Sequence, residues 1–204
     1  MPPVQIVILA KSVKHQNHCV AGKCIIHKKW YRPVSTVTGG ELNNEQVMVQ
    51  NIHGTYRVKP LQKVEMSFLN HVPLLQQPEN HLIDGNVWQQ KYKINLNEID
   101  QYLDWPDDIW GLGNRVDYSL IESNYIHIQQ SLYLVQAQNI SLYYDGERKR
   151  RASFKYNGID YDLPVTDPEF YNIVNEDKDF KGILCISLGE EYHGYCYKIV
   201  ATIF

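Results

Sequence analysis

One dipeptide, Asn157-Gly158, constrains the fold of this chain more than any other feature. Asn-Gly between two runs of alternating apolar and polar residues is the strongest short-range signal for a β-hairpin with a two-residue turn. Residues 151–156 and 159–165 are such runs. In the predicted register the facing pairs are Lys155 with Asp160, Phe154 with Tyr161, and Ala152 with Leu163. One side of the hairpin is therefore apolar and the other charged, as in a half-buried antiparallel sheet.

The rest of the chain is also rich in residues that favour strands. Fifteen of its 204 residues are tyrosine, and valine and isoleucine are frequent. Besides the hairpin, the predicted strands are 4–10, 18–27, 30–35, 64–69, 132–144, 183–188 and 195–204. Residues 11–17 are predicted to form a loop. Short helices are predicted at 98–103 and after Asp167, which suits an N-cap because Pro168 and Glu169 follow it.

The number and order of these elements favour two small barrels over one sandwich. The last third contains about five strands with one short helix interposed, which is the OB-type arrangement. We therefore predict a mostly β chain of two tandem OB-like, five-stranded antiparallel barrels with short helices. The expected domains are residues 1–115, with an acidic helical extension, and residues 116–204. The joint is expected in the segment 104–114, which is rich in Gly, Pro and Asp.

Charge is distributed unevenly along the chain. Residues 1–63 carry nine Lys/Arg and two Glu, for a net charge of +7, whereas residues 64–147 carry three Lys/Arg and twelve Asp/Glu, for −9. A basic segment of this kind suggests contact with a polyanion, with nucleic acid as the first candidate. Because the whole chain has a net charge of −3, any such contact should be local. A second interpretation is that the basic third packs against the acidic middle.

Basic residues beside aromatic ones form the candidate nucleic-acid site. Phosphates pair with Lys and Arg, and unpaired bases stack on rings. The predicted binding residues are Lys11, Lys14, His15, Lys28, Lys29, Trp30, Tyr31, Arg32, Arg150 and Arg151. The alternative for Trp30 is the barrel core, since a tryptophan in a strand usually packs inward. The alternative for residues 148–151 is a charged edge strand.

Two other functions stay open at this point. A protein-interaction adaptor would dock a basic partner through the acidic middle, using Trp105, Asp107, Asp108 and Trp110. An enzyme acting on a nucleotide-like small molecule would use the loop 77–84, which contains Glu79 and His81 and could supply acid and base groups. The sequence favours a binding protein over an enzyme, because no nucleophile motif accompanies this loop.

Several protein classes are disfavoured by what the sequence lacks. It contains no P-loop, dinucleotide-binding, nucleophile-elbow or zinc-protease motif, and we predict no cofactor. His15, His18, Cys19, Cys24 and His27 lie close together but without zinc-knuckle spacing, so we predict no metal site. No apolar run approaches the ~20 residues of a membrane span. Four cysteines are few for a disulfide scaffold, which favours reduced thiols and a cytoplasmic location.

Eight short strings occur in one order along the chain. They are IVILAKSVKH (6–15), CVAG (19–22), WYRPVS (30–35), QPENHLI (77–83), RASFKYNG (151–158), VTDPEF (165–170), LCISLGE (184–190) and GYCYK (194–198). This order resembles the bacterial family of dual OB-containing domain proteins over nearly the whole chain, with the acidic middle covered least. The resemblance implies two OB units in tandem. It implies no particular reaction and no particular functional residues.

Overall fold

The computed structural model describes residues 2–14, 17–175 and 180–204, with the side chains of Lys14 and Asn175 left out. The chain divides into two compact units. Unit 1 consists of Met1–Leu74 and Pro78–Tyr102, and unit 2 of Leu75–Gln77 and Leu103–Phe204.

The elements of unit 1 are mostly short strands. They are β1 (Val4–Lys14), β2 (Asn17–Cys24), β3 (Trp30–Val34), β4 (Met48–Asn51), β5 (Gly54–Arg57), β6 (Gln62–Met66), β7 (Phe68–His71), β8 (Asn80–Ile83), β9 (Trp88–Lys93) and a 3₁₀ helix (Leu96–Tyr102). The prediction of a loop at residues 11–17 is wrong for residues 11–14, which are part of β1. The ladder to β2 extends through Lys11 opposite Val20 as far as Lys14 opposite Asn17, so polar residues continue the strand.

These strands form a sheet that returns on itself. Their order is β5-β4-β9-β6-β1-β2-β3-β8-β7. Strands β3 and β8 run parallel, whereas β1 pairs antiparallel with both β2 and β6. Ser67 alone separates β6 from β7 along the chain, so the path β1-β2-β3-β8-β7/β6 closes a small barrel. Ile6, Ile8, Val64, Phe68 and Trp88 belong to its apolar core.

Unit 2 has a similar closure with its own elements. They are β10 (Arg115–Asp117), α1 (Tyr118–Glu122), β11 (Leu132–Gln136), β12 (Gln138–Tyr144), β13 (Arg150–Tyr156), β14 (Ile159–Pro164), α2 (Phe170–Asn175), β15 (Ile183–Tyr192) and β16 (Tyr195–Ile203). Ala137 alone separates β11 from β12, and a parallel bridge between Val165 and Val200 joins the end of β14 to β16. Because β11 also pairs with β15, the path β11/β12-β13-β14-β16-β15 closes. Along the chain, helix α2 lies between β14 and β15.

The sequence-based fold class is therefore confirmed: the chain is mostly β and is built from OB-like barrels. The predicted hairpin is also confirmed, since β13 and β14 pair in the expected register. The facing pairs are Lys155 with Asp160, Phe154 with Tyr161, and Ala152 with Leu163. Among the described residues, no helix is long and apolar enough to cross a membrane.

Candidate nucleic-acid interface

The turn between β2 and β3 carries the most accessible of the predicted cations. Its geometry is fixed by two backbone hydrogen bonds, from Cys24 N to Lys29 O (2.9 Å) and from Lys28 N to Cys24 O (3.0 Å). Lys29 is exposed, and its ammonium forms no ion pair or hydrogen bond with the residues that the structure describes. Lys28 is half-buried, with its ammonium 3.9 Å from the centre of the Tyr102 ring and 3.3 Å from the side-chain oxygen of Gln101. Of the two lysines, Lys29 is therefore the one whose charge is unpaired.

Trp30 and Arg32 are buried, which changes what they can do. Trp30 is 5% exposed, and the Lys23 ammonium lies 5.1 Å from the centre of its ring. Its ring is therefore covered and not available for base stacking, although Trp30 lies on the face of the sheet opposite the barrel core. Arg32 is 8% exposed and donates from Nε to Glu79 Oε1 at 3.3 Å, in a pair whose two side chains are both buried. Neither residue presents a free group to a ligand in this structure.

Tyr31 remains accessible and lies at the mouth of the unit 1 barrel. Its ring stacks on His81, with centroids 4.4 Å apart, and on Phe68, with centroids 6.0 Å apart. Burial, and to a smaller extent Cys24, raises the pKa of its hydroxyl, so the phenol stays neutral at physiological pH. The His81 and Phe68 rings are themselves 5.1 Å apart, so they pack on the same side of Tyr31.

A groove of about 500 Å³ opens beside Tyr31. Its lining is mainly apolar and includes Val4, Ile26, His27, Tyr31, Glu65 and Phe68. Glu65 accepts a hydrogen bond from Gln5 Nε2 (3.0 Å) and pairs with the Lys91 ammonium (3.1 Å). These two contacts lower the pKa of Glu65, which is therefore ionised. The groove combines a ring against which a flat ligand can stack with a carboxylate that can accept hydrogen bonds from amino groups.

The 3₁₀ helix contacts the outer face of β2 through Lys23. A cross-strand row runs over this face through Tyr92, Lys63, Val7, Lys23 and Trp30. Directly paired residues share a face of the sheet. Lys23 donates from Nζ to the carbonyl oxygen of the helical residue Tyr102 at 2.7 Å, and both residues are buried.

On the face that OB barrels commonly use for ligands, that of the second and third strands, Lys23 and Trp30 are therefore buried in unit 1. The helix comes from the acidic middle of the chain. The interpretation that basic and acidic segments pack together holds for Lys23 and Lys28, because both contact Tyr102 of this helix.

The three predicted residues at the start of the chain contribute less to a defined site. Lys11 is half-buried on β1. Lys14 ends the same strand opposite Asn17, and its side chain is not described. His15 lies outside the described residues.

Arg150 and Arg151 are both engaged within unit 2. Arg150 donates from Nη1 to the carbonyl oxygen of Asp167 at 2.9 Å. Arg151 pairs with Asp162 at 3.1 Å. On the same hairpin Lys155 lies 3.4 Å from Asp160. The cations on β13 are therefore matched by carboxylates or a carbonyl, as expected for a charged edge rather than a phosphate-binding surface.

The four residues of the adaptor hypothesis separate into two pairs. Trp105 is 75% exposed, and Asp107 is exposed as well. Asp108 instead accepts a hydrogen bond from Gly111 N at 2.6 Å, and Trp110 donates from Nε1 to Gln130 O at 3.0 Å. Asp108 and Trp110 thus fix the local chain, and only Trp105 and Asp107 are presented to a partner.

The loop of the enzyme hypothesis is held by structural contacts. Glu79 is the buried partner of Arg32. His81 Nδ1 lies 2.8 Å from the carbonyl oxygen of Glu79, and burial lowers the pKa of its ring. His81 is stacked between Tyr31 and His71, with centroids 4.4 and 4.7 Å away. These contacts account for Glu79 and His81 as parts of the fold.

In the part of the chain that the structure describes, no group of three or more His, Cys, Asp or Glu residues could hold a metal ion. Of the five residues weighed from the sequence, His18 Nε2 lies 2.9 Å from Asn44 Oδ1. Cys19 and Cys24 form no disulfide bond.

A second aromatic surface was not predicted from the sequence. On the β15–β16 hairpin of unit 2, the rings of Tyr192, Tyr195 and Tyr197 lie near one another, with the Arg115 guanidinium 3.8 Å from the centre of the Tyr195 ring. The Tyr-x-Tyr spacing at 195 and 197 could have revealed it, because residues two apart in a strand share a face. The contribution of β10 could not, because Arg115 is distant in sequence.

Two solved structures are similar to this chain. A murine DNA-binding protein bound to double-stranded DNA has 11% sequence identity and a TM-score of 0.33, over 100% of this chain and 97% of that one. The tetrameric p202 HIN2 has 9% identity and a TM-score of 0.36, over 99% of this chain and 93% of that one. No curated protein matches the sequence. The dual OB-containing domain family matches residues 4–203, so the chain belongs to that family, as the order of its sequence strings predicts.

Proposed function

We propose that this protein is a nucleic-acid-binding module that takes single-stranded DNA or RNA at the β2–β3 turn of unit 1. Lys29 and Lys28 would pair with phosphates, and Tyr31 would stack an unpaired base in the adjoining groove. The observation that carries the proposal is the unpaired ammonium of Lys29 two residues from His27, which lines the same groove as Tyr31. Membership in an OB family supports it, because OB barrels commonly bind oligonucleotides.

The energetics favour single strands at such a site. A base that stacks on an aromatic side chain contributes about 1–3 kcal/mol. The base can reach the side chain only when it is unpaired, as in a single strand. Each lysine–phosphate contact adds a salt-dependent contribution through counterion release. A small number of phosphate contacts agrees with the net charge of −3, which disfavours extended coating of a nucleic acid.

The test is fluorescence anisotropy with labelled single-stranded DNA and RNA at about 50 mM salt, where phosphate contacts are strong. We expect binding by the wild-type chain and about a tenfold loss in Lys29→Glu. Lys149→Glu is the matched control, because Lys149 is exposed, pairs with Glu147 and lies in unit 2. Absence of binding at this salt concentration, or equal losses in the two variants, would exclude the proposal.

Tyr31→Leu tests the base-stacking part separately. Leucine keeps an apolar side chain against Phe68 but removes the ring. We expect about a tenfold weaker affinity for single strands, from the lost stacking. An unchanged affinity would remove Tyr31 from the site while leaving the phosphate contacts in place.

A protein-interaction adaptor is the second candidate, and the exposure of Trp105 favours it. A tryptophan that is 75% exposed next to the exposed Asp107 suits a basic partner with an apolar anchor. Loss of a captured partner in Trp105→Ala, but not in Trp110→Phe, would support this role. For location we propose the cytoplasm, which agrees with four cysteines that form no disulfide bond.

A further inference from the structure

The strongest feature that the proposed function leaves unused is the tyrosine surface of unit 2. The ring centroids of Tyr192 and Tyr197 are 6.5 Å apart, and those of Tyr195 and Tyr197 are 6.3 Å apart. Tyr195 pairs with Tyr192 across the hairpin and with Asp117 of β10 on its other side. Paired residues share a sheet face, so the three rings form one continuous surface.

These rings are accessible and chemically unsatisfied. Tyr192 is 64% exposed, and Tyr195 and Tyr197 are half-buried. Their hydroxyls make no hydrogen bond with any residue that the structure describes, so three phenolic donors are left for a ligand. Arg115 stacks on Tyr195 at 3.8 Å and extends the flat surface on the β10 side. A ligand here would meet ring faces for apolar contact and hydroxyl groups for hydrogen bonds.

The charge around the rings argues against a phosphate backbone. Strand β10, helix α1 and residues 189–197 together carry one cation, Arg115, and four carboxylates. The carboxylates are Asp117, Glu122, Glu190 and Glu191. Lys198, the charged residue of β16, is fully buried and lies on the face of the sheet opposite Tyr195 and Tyr197. A nucleic acid would therefore be repelled here, whereas a cationic segment would be attracted.

We propose that this surface, made of Tyr192, Tyr195, Tyr197 and Arg115, docks a basic, proline-rich segment of a partner protein. Such a segment adopts the polyproline II conformation, which leaves its backbone carbonyls without internal hydrogen bonds. Aromatic-lined surfaces recognise this conformation by packing proline rings between aromatic rings. The tyrosine hydroxyls would donate to the segment's carbonyls, and the carboxylates would meet its basic side chains.

The test uses a fluorescein-labelled peptide with four Pro-Pro-Arg repeats and the full-length protein. Two matched peptides isolate the components: Pro-Pro-Glu repeats reverse the charge, and Gly-Ser-Arg repeats keep the charge but remove the proline rings. We expect anisotropy to report binding of the first peptide and at least about tenfold weaker binding of both controls. Equal binding of the Gly-Ser-Arg peptide would overturn the proposal, because charge alone would then account for it. So would absence of Pro-Pro-Arg binding.

The variant pair Tyr195→Ala with Tyr197→Ala should weaken Pro-Pro-Arg binding by at least about tenfold. Tyr171→Ala is the control for loss of a tyrosine elsewhere in the same unit, because Tyr171 lies on helix α2 and is as exposed as Tyr192. If thermal melting shows that the double variant is unfolded, Tyr192→Ala, at an exposed position, replaces it. Unchanged peptide binding in a folded variant would overturn the proposal. A loss of single-stranded DNA binding in these variants would also overturn it, since the surface would then stack bases.

Discussion

At the scale of single residues, Lys198 is the most informative buried charge in unit 2. It is 0% exposed, and its ammonium donates to the carbonyl oxygens of Gly111 (2.7 Å), Leu112 (3.2 Å) and Gly113 (3.0 Å). Burial lowers its pKa to about 8, although Asp108 opposes the shift. One side chain on β16 therefore fixes the segment that precedes β10.

Lys198→Met should destabilise the protein by about 1–3 kcal/mol, because methionine keeps the bulk but leaves these carbonyls without their donor. Urea denaturation measures this change. Lys155→Met is the control and should change the free energy of unfolding by less than about 1 kcal/mol, because Lys155 forms only a surface pair with Asp160. A Lys198→Met protein as stable as wild type would mean that relief of the buried charge offsets the lost hydrogen bonds.

A second residue, Asp167, should make stability depend on pH. Burial raises its pKa from 3.8 to about 6, against hydrogen bonds that its carboxylate accepts from Glu169 N (2.8 Å) and Ile203 N (2.8 Å). The folded state therefore holds this proton more tightly than the unfolded state. The resulting stabilisation is complete below about pH 4 and is lost as the pH rises through about 6.

We expect the free energy of unfolding of wild type, relative to Asp167→Asn, to fall by about 2–3 kcal/mol between about pH 4 and pH 7. Chemical denaturation of both proteins across this range measures it, and Asn does not titrate, so other groups cancel. A difference that stays constant or increases with pH would contradict the assignment.

At the scale of elements, the β1–β2 pair depends on a close backbone approach at Gly22. A Cβ atom placed there would lie 2.2 Å from the carbonyl oxygen of Val7 on the neighbouring strand. Opposite this point the register shifts between Ile8 and Ala10, so β1 carries an extra residue. The irregularity therefore lies on β1, opposite Gly22.

Gly22→Ala should therefore destabilise the protein by about 2–3 kcal/mol, because the atom in its way belongs to the backbone and cannot rotate aside. Gly146→Ala is the matched control, since a Cβ there meets nothing within 4 Å. Denaturant titration of the two variants measures the difference. Equal stability would show that β1 can shift to accommodate a methyl group.

At the scale of the whole molecule, the proposed nucleic-acid contact predicts a shallow salt dependence. Two lysine–phosphate contacts, by Lys28 and Lys29, give a slope of about −1.4 for log affinity against log salt concentration on a single strand. Anisotropy titrations over a salt series measure this slope. In Lys29→Glu the slope should become shallower by at least about 0.7. A slope several times steeper would point to an extended basic surface rather than this local site.

Some features of this protein follow from the sequence alone. The Asn157-Gly158 turn sets the register of its own hairpin, so the facing pairs of β13 and β14 could be assigned without any distant contact. The alternation of apolar and polar residues and the turn residues likewise predict a mostly β chain of barrels. Each of these properties depends on neighbours within a few residues, which a sequence displays directly.

Other features were decided by tertiary structure, because they depend on groups far apart in the chain. Trp30 looked suited to base stacking, but Lys23 and the distant 3₁₀ helix at Leu96–Tyr102 cover its side of the sheet. Arg32 pairs with Glu79, which is 47 residues away in the sequence. The charge of a lysine or arginine is written in the sequence, but whether that charge is free depends on burial and pairing. For this chain, burial and pairing leave Lys29 and Tyr31 as the residues of the proposed nucleic-acid site. The tertiary structure also places Arg115 beside Tyr195 of β16.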